Sequence, residues 1–373
     1  MKTGFFDRRA FGQIPWGLLL VNAIIILLGL CTLYSTTMTS ELKQGLDHHF
    51  RQQVLWVFLG LIVLVATVMP DYKHVAQLAW PIYVLNVLLL LFVLLEGRAI
   101  LGSRRWLNLG PLTIQPSELM KISIIFVLAK MFNQDTPRTG YGLKDLILPM
   151  LVVLGPAILI LKEPDLGTTL MLGMMVVFIF VFVGMHWRLL IGSAVIVLLS
   201  APLAWFFVLK DYQKGRIMTL IEPGQDPLGK GYQIMQAIVT TGSGMLFGKG
   251  FLQGTQNQLG FIPKPHTDFI FSAFAEEWGF VGSTTVLLFY LLYILAGLAI
   301  ASKARDRFGA VIAIGVVAMF FFQVLVNVGM EIGLMPVVGV TLPFFSYGGS
   351  AMVLNLFCTG LLVNIAMHRH LFN

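Results

Sequence analysis

The chain has 373 residues, 57% of them hydrophobic and only 12% charged, with a net charge of +7. Soluble globular domains carry about a quarter charged residues, so this composition excludes that class. The basic residues are scattered over short loops and form no patch, which suits membrane topology and anionic headgroups and argues against nucleic acid.

Apolar runs long enough to cross a bilayer core recur along the whole chain. They must span as helices, because lipid offers no partner to an unpaired backbone group. In chain order the predicted spans cover 16–34, 53–69, 75–95, 116–132, 144–161, 166–184, 188–209, 281–301, 310–334 and 347–367. The fold expected is all-α: a polytopic membrane protein of ten spans, a single domain over 1–373, with one long extracytoplasmic loop at about 210–280. The first run follows a basic segment but precedes no A-x-A cleavage site, so it is expected to stay as a span. Cys31 and Cys358 fall inside apolar runs and are expected to be small buried hydrophobes; no zinc spacing is present.

Ten spans put both termini on one side. With the N-terminus in the cytoplasm, twelve Lys/Arg fall on inner segments and six on the short outer loops. The 210–280 loop holds another six but is too long to count. Both termini are therefore expected in the cytoplasm, which gathers the unusual polar stretches at the outer face.

The first of these is Gln115-Pro-Ser-Glu-Leu-Met-Lys121. Pro116 suits a first helical turn, and Glu118 and Lys121, three apart, share a face and can pair. They form either a structural ion pair or the wall of an outward-facing cavity. Asp165, in Lys162-Glu-Pro-Asp165, stands where a helix N-cap is expected. Ser346-Tyr-Gly-Gly-Ser350 permits a sharp turn and close helix packing, or contributes to the same cavity, for which Asn327 and Glu331 are secondary candidates.

The 210–280 stretch holds six Lys/Arg and six Asp/Glu together with many Gly and Pro. Connections this long inside a compact domain are usually functional or disordered, and the aromatic residues here favour order. Gly242-Ser-Gly-Met-Leu-Phe-Gly-Lys-Gly250 fails the phosphate-loop pattern, since Ser243 replaces its first Gly and Gly250 the Ser/Thr after Lys249. It keeps a weak resemblance to an anion nest. His266-Thr-Asp268 is more informative. Pro263 and Pro265 keep the chain extended before it, and Phe269-Ile-Phe271 follows. A carboxylate between a rigid turn and aromatic residues is partly desolvated and so more basic, as a general base for a sugar hydroxyl must be. The plainer alternative is that Asp268 caps the helix beginning there. His266 would orient substrate or help hold a metal. Arg104, Arg105, Lys210, Lys214, Arg216, Lys230, Lys249 and Lys264 could grip a pyrophosphate. A base beside a cationic, membrane-level groove suits glycosyl transfer from a lipid-linked sugar pyrophosphate.

At these residues the chain resembles the SEDS family (shape, elongation, division and sporulation). The matching segments are Arg105-Trp-Leu-Asn-Leu-Gly110, Gln115-Pro-Ser-Glu118 with Lys121, and Glu163-Pro-Asp-Leu-Gly-Thr168. Further on come Asp226-Pro-Leu-Gly-Lys-Gly-Tyr-Gln233, Gly242-Ser-Gly244, Gly248-Lys-Gly250, His266-Thr-Asp-Phe-Ile-Phe271, Glu276-Glu277 and Ser346-Tyr-Gly-Gly-Ser350. The resemblance implies a peptidoglycan glycosyltransferase of the bacterial inner membrane that polymerises lipid II, working with a class B penicillin-binding protein and the elongation machinery. It implies Asp268 as catalytic residue, and Glu118, Lys121, Arg105, Lys249, His266 and Ser350 as substrate-binding or supporting residues. It also implies a divalent cation, Mg or Mn. Many members carry a glutamate where this chain has Lys264; a cation there opposes the desolvation of Asp268 and removes one carboxylate from any metal site, so no metal ligands are assigned. The short N-terminus, Asp226-Pro-Leu-Gly and the short tail favour the elongation branch over the division branch. A lipid II flippase is the alternative from another class, but no pair of interrupted helices in matching halves supports it. A scaffold that only recruits the wall machinery would leave the concentrated loop chemistry without a purpose.

Overall fold

The computed structural model describes residues 12–38, 43–96, 98–100, 103–109, 112–133, 140–207, 211–222, 230–261 and 266–370. The chain opens with three long helices, α1 (Trp16–Met38), α2 (Lys43–Val68) and α3 (Lys73–Glu96). Three short strands follow, β1 (Arg98–Ile100), β2 (Ser103–Leu109) and β3 (Leu112–Ile114). Then come α4 (Pro116–Met131), α5 (Leu143–Lys162), α6 (Leu166–Val183) and α7 (Trp187–Phe207). Inside the 210–280 stretch lie α8 (Asp211–Ile221), α9 (Lys230–Ser243) and the single turn α10 (Thr255–Gln258). The chain closes with α11 (Ile270–Ser302), α12 (Arg307–Glu331) and α13 (Gly349–Met367).

Every predicted span falls on a helix. Eight of the described helices are long and apolar enough to cross a membrane; α4, with 16 residues, is shorter. Burial separates a centre from a rim. The apolar windows of α12 and α13 are 78% buried, whereas those of α2 and α3 are 22% buried and expose Leu55, Phe58, Leu85 and Leu88. Leucines outside and asparagines inside (Asn86, Asn327, Asn355 and Asn364 are all buried) invert the pattern of a water-soluble bundle, as lipid contact requires.

Three expectations need correction. The all-α expectation is too narrow: between α3 and α4 lies an antiparallel meander, β1-β2-β3, with Leu107 paired to Ile114, so the fold is mostly rather than wholly helical. Its strands pair their own backbone groups, which a bare loop packed on helices could not do. Secondly, α11 starts at Ile270, eleven residues before the span expected at 281, and is broken at Gly279 (φ 66°, ψ −165°). The helix that the sequence allowed to begin at Asp268 thus runs on, across the break, into the expected span. Thirdly, Cys31 is exposed on α1 while Cys358 is buried. Pro263, Lys264, Pro265, Lys210 and the Asp226-Pro-Leu-Gly segment lie outside the described residues.

Candidate active site

Asp268 occupies a turn just ahead of α11 and is half-buried. The position beginning the helix is taken by Phe269, which supplies no side-chain cap. The first turn of a helix still needs acceptors, and α12 provides one. Glu331 accepts hydrogen bonds from the Ser272 N–H and from Ser272 Oγ, the latter at 2.7 Å. One helical turn earlier on the same face, Asn327 Nδ2 donates to the Asp268 carbonyl at 3.2 Å and to the Val340 carbonyl at 2.8 Å. Both side chains are fully buried. The C-terminal end of α12 thus holds the main chain at Asp268 and again at Ser272, and Gly339 lies close to the Asp268 carboxylate.

His266 joins this turn to two further elements. Its carbonyl accepts from the Tyr347 N–H at 2.9 Å, and its ring stacks on His49 of α2 with centroids 5.2 Å apart. His49 in turn meets the Tyr347 ring edge-on at 4.7 Å. Two neighbouring glutamines of α2 hold the Ser346–Gly348 turn: Gln52 Oε1 accepts from the Tyr347 hydroxyl at 2.6 Å, and Gln53 Oε1 from the Gly348 N–H at 3.1 Å. The structure therefore brings His266-Thr-Asp268 and Ser346-Tyr-Gly-Gly-Ser350 together. Ser350 itself lines a cavity of about 410 Å³ between α2, α3, α4 and α13, with Trp56, Asn86, Ser123 and otherwise largely apolar walls.

Lys249 is an ion-pair partner of Glu276 at 2.6 Å. Glu276 also accepts from the Gln256 N–H at 2.9 Å and is fully buried. Beside it, Glu277 accepts from Ser35 Oγ of α1. The main-chain N–H groups of Lys249 and Gly250, which an anion nest would need, donate to the carbonyls of Glu276 and Glu277, each at 3.0 Å. A Cβ on Gly248 would collide with the Glu277 carbonyl, so the glycines here serve close backbone approach.

Arg105 serves a different knot. Its guanidinium donates to the carbonyls of Glu163 (3.0 Å) and Pro164, and lies 3.8 Å from Asp165. Asp165 caps α6 through the Thr168 N–H at 3.2 Å and accepts from Gln115 Nε2 at 3.1 Å. The helix-cap expectation for Asp165 therefore holds. Glu163 is 1% exposed and neither of its carboxylate oxygens has a hydrogen-bond partner. Burial, reinforced by Asp165 and opposed by Arg105, pushes this carboxyl up to about 8. Glu118 and Lys121 form the expected ion pair at 2.8 Å, with the Lys121 side chain 2% exposed. The pair sits at the start of α4.

A family model described as cell cycle protein, covering FtsW, RodA and SpoVE, matches residues 16–371. The chain belongs to the SEDS family. It is 37% identical over 350 residues to the peptidoglycan glycosyltransferase MrdB of Escherichia coli K12, covering 94% of each chain. It is 34% identical to the stage V sporulation protein E of Bacillus subtilis, covering 94% of this chain and 96% of that one. Among solved structures, a chain from a peptidoglycan synthase complex that coordinates polymerization and crosslinking matches with a TM-score of 0.82 at 34% identity, covering 96% of this chain and 99% of that one. The rod shape determining protein RodA of Thermus thermophilus matches with a TM-score of 0.71 at 32% identity, covering 96% and 98%. The family resemblance implies a divalent cation; among the described residues no three His, Cys, Asp or Glu side chains come close enough together to hold one.

Sequence reasoning missed His49, Gln52, Gln53, Ser35 and Ser272. The signal was available for the serines: isolated hydroxyls near the ends of apolar helices, able to donate to a buried carboxylate.

Proposed function

We propose that this SEDS protein is a lipid II polymerase of the bacterial inner membrane, acting in cell elongation with a class B penicillin-binding protein. The observation that carries the reading is the clamped Asp268 turn: a half-buried carboxylate held at the outer end of α12, beside His266 and the Ser346–Gly348 turn. The membership in the SEDS family and the greater similarity to MrdB (37%) than to the FtsW of Geobacter metallireducens (32%) support the polymerase and elongation readings.

Asp268 takes the proton from an acceptor sugar hydroxyl. The new oxygen–carbon bond forms at the anomeric carbon of the donor as the bond to its pyrophosphate breaks, and the lipid pyrophosphate departs with the electron pair. His266 orients the acceptor. The cavity beside Ser350, apolar and at the same end of the bundle, suits part of an isoprenoid tail. Glu118, Lys121 and Lys249 act as supports through their ion pairs, and Arg105 by fixing the turn before α6. A divalent cation, Mg or Mn, would arrive with the pyrophosphate and take most of its ligands from phosphate oxygens and water, as Mg does at phosphoryl sites. We count ten spans, including α4 and α7, in one domain, with both termini cytoplasmic and the 210–280 stretch outside.

The test uses the purified protein with its penicillin-binding partner and labelled lipid II. Asp268→Asn is expected to fold and bind the partner but make no polymer. Full polymer yield removes the base assignment, and lipid scrambling that survives the substitution favours a flippase.

A further inference from the structure

The stretch from α9 to the end of the glycine-rich turn is inside-out. Between residues 231 and 248 there is no Asp, Glu, Lys or Arg. The exposed side chains there are Met235, Ile238 and Val239 on one face of α9, each under half exposed, then Met245, Leu246 and Phe247 at the tip, where Met245 is 82% and Phe247 81% exposed. The polar ones, such as Gln233, Gln236, Thr240 and Thr241, are half-buried or buried. Water would select the opposite arrangement. The helix fits an element lying in an interface with its apolar face in acyl chains.

The tip also sits at a definable depth. The main chain of α11 breaks at Gly279, and a break exposes orphan groups on both sides. The tip fills all four of the groups nearest the break. The Met245 and Leu246 carbonyls accept from the N–H groups of Phe280 (2.8 Å) and Val281 (3.0 Å), and the N–H groups of Lys249 and Gly250 donate to the carbonyls of Glu276 and Glu277. Phe280 and Val281 are 64% and 50% exposed and begin an outward stripe that continues through Leu288 and Leu295 down the lipid-facing side of α11. Measured back from Ser302 at 1.5 Å per residue, roughly 20 residues of helix fill the hydrocarbon layer and place 281 at its outer boundary. Irregular backbone is tolerated at that level only where its polar groups are satisfied, as they are here.

We propose that α9 and the Met245–Phe247 tip form a lipid anchor: their apolar side chains enter the outer acyl boundary beside Phe280 and Val281. The continuity of the exposed stripe with the spanning part of α11 selects lipid as the occupant over a protein partner. The anchor would tie the 210–280 region to a fixed height, with the first part of α11, carrying Glu276 and Glu277, directly behind it. This inference concerns membrane placement and stands apart from the polymerase reading.

The test places a nitroxide at Phe247→Cys, in a full chain carrying Cys31→Ala and Cys358→Ala, in liposomes of phosphatidylethanolamine and phosphatidylglycerol. Collision rates with oxygen and with a water-soluble nickel chelate are compared. Oxygen is expected to dominate, as for a reference label at Leu288→Cys on the lipid face. Dominance of the nickel chelate means the tip faces water and overturns the proposal. Low collision with both means that protein, a second copy included, covers the tip, and overturns it equally. A label at Met245→Cys gives the same reading should the first variant not fold.

Discussion

At the turn between α5 and α6, charge is turned inward: Arg105 holds two carbonyls and faces Asp165, which itself caps a helix. Around Asp268 the neighbouring side chains hold main chain instead, Asn327 the carbonyl of Asp268 and Glu331 the N–H of Ser272. The two turns have similar raw material, a carboxylate just ahead of an apolar helix. They differ in which partner does the holding. Where the carboxylate is the cap, it is structural; where α12 fixes the backbone, the carboxylate is placed by others, and on the proposed reading its half-buried side chain serves the reaction.

The contrast is sharpest for direct substitution. Asp268→Asn should reduce polymer formation by roughly 10²-fold or more, the worth of a general base, while leaving the melting temperature unchanged. Asp165→Ala should do the reverse, lowering stability by about 1 kcal/mol through the lost cap, with polymer falling only in step with the folded fraction. If both variants lose activity alike at full stability, the distinction between the turns fails.

Next in size is Asn327→Ala, which loosens Asp268 without touching it. A misplacement near 1 Å is enough to cost on the order of 10²-fold in rate, so a loss of roughly 10- to 100-fold is expected in the lipid II assay. Rates equal to those of the unaltered protein would show that the clamp does not position the carboxylate.

Arg105→Lys should act on stability. Lysine cannot reproduce the planar fork on two carbonyls, and a loss of about 1–3 kcal/mol is expected from thermal denaturation in detergent. A pH-dependent effect is expected at Glu163. Its carboxyl is raised from the ordinary 4.5 to about 8, so the folded chain binds more protons than the unfolded chain between those values and loses stability as pH rises through that window. Glu163→Gln should match the native protein near pH 4.5 and gain on it up to about pH 8, with the gap flat beyond. A gap that does not change with pH would mean that Glu163 is not the titrating group.

Much of the frame was legible because lipid imposes one solution on a long apolar run. Each predicted span overlaps a helix, eight of the described helices are long and apolar enough to cross a membrane, and Glu118–Lys121 pair as their spacing required. What hydropathy could not show is which charges are satisfied inside. A loop cation as partner for Glu276 or Glu277 is readable from the sequence, and Lys249 is that partner for Glu276; the Gln256 N–H and Ser35, which complete the set, leave no such signal. The sheet ahead of α4 escaped notice because three-residue strands leave almost no periodic signal. His49 and the paired glutamines went unseen because they precede the apolar part of α2, where polarity is ordinary and their partners on the Ser346–Gly348 turn are nearly three hundred residues away.

The joint at Gly279 has a further consequence. A methyl group there would meet the Leu246 carbonyl at 2.7 Å, and the left-handed backbone already disfavours any L side chain. Substitution at this single site would prise the tip from the rod it braces and leave several main-chain groups bare in an oily setting. A lesion far from the chemistry could thus silence the protein through misinsertion, at the stage of biogenesis and before any sugar is ever bound.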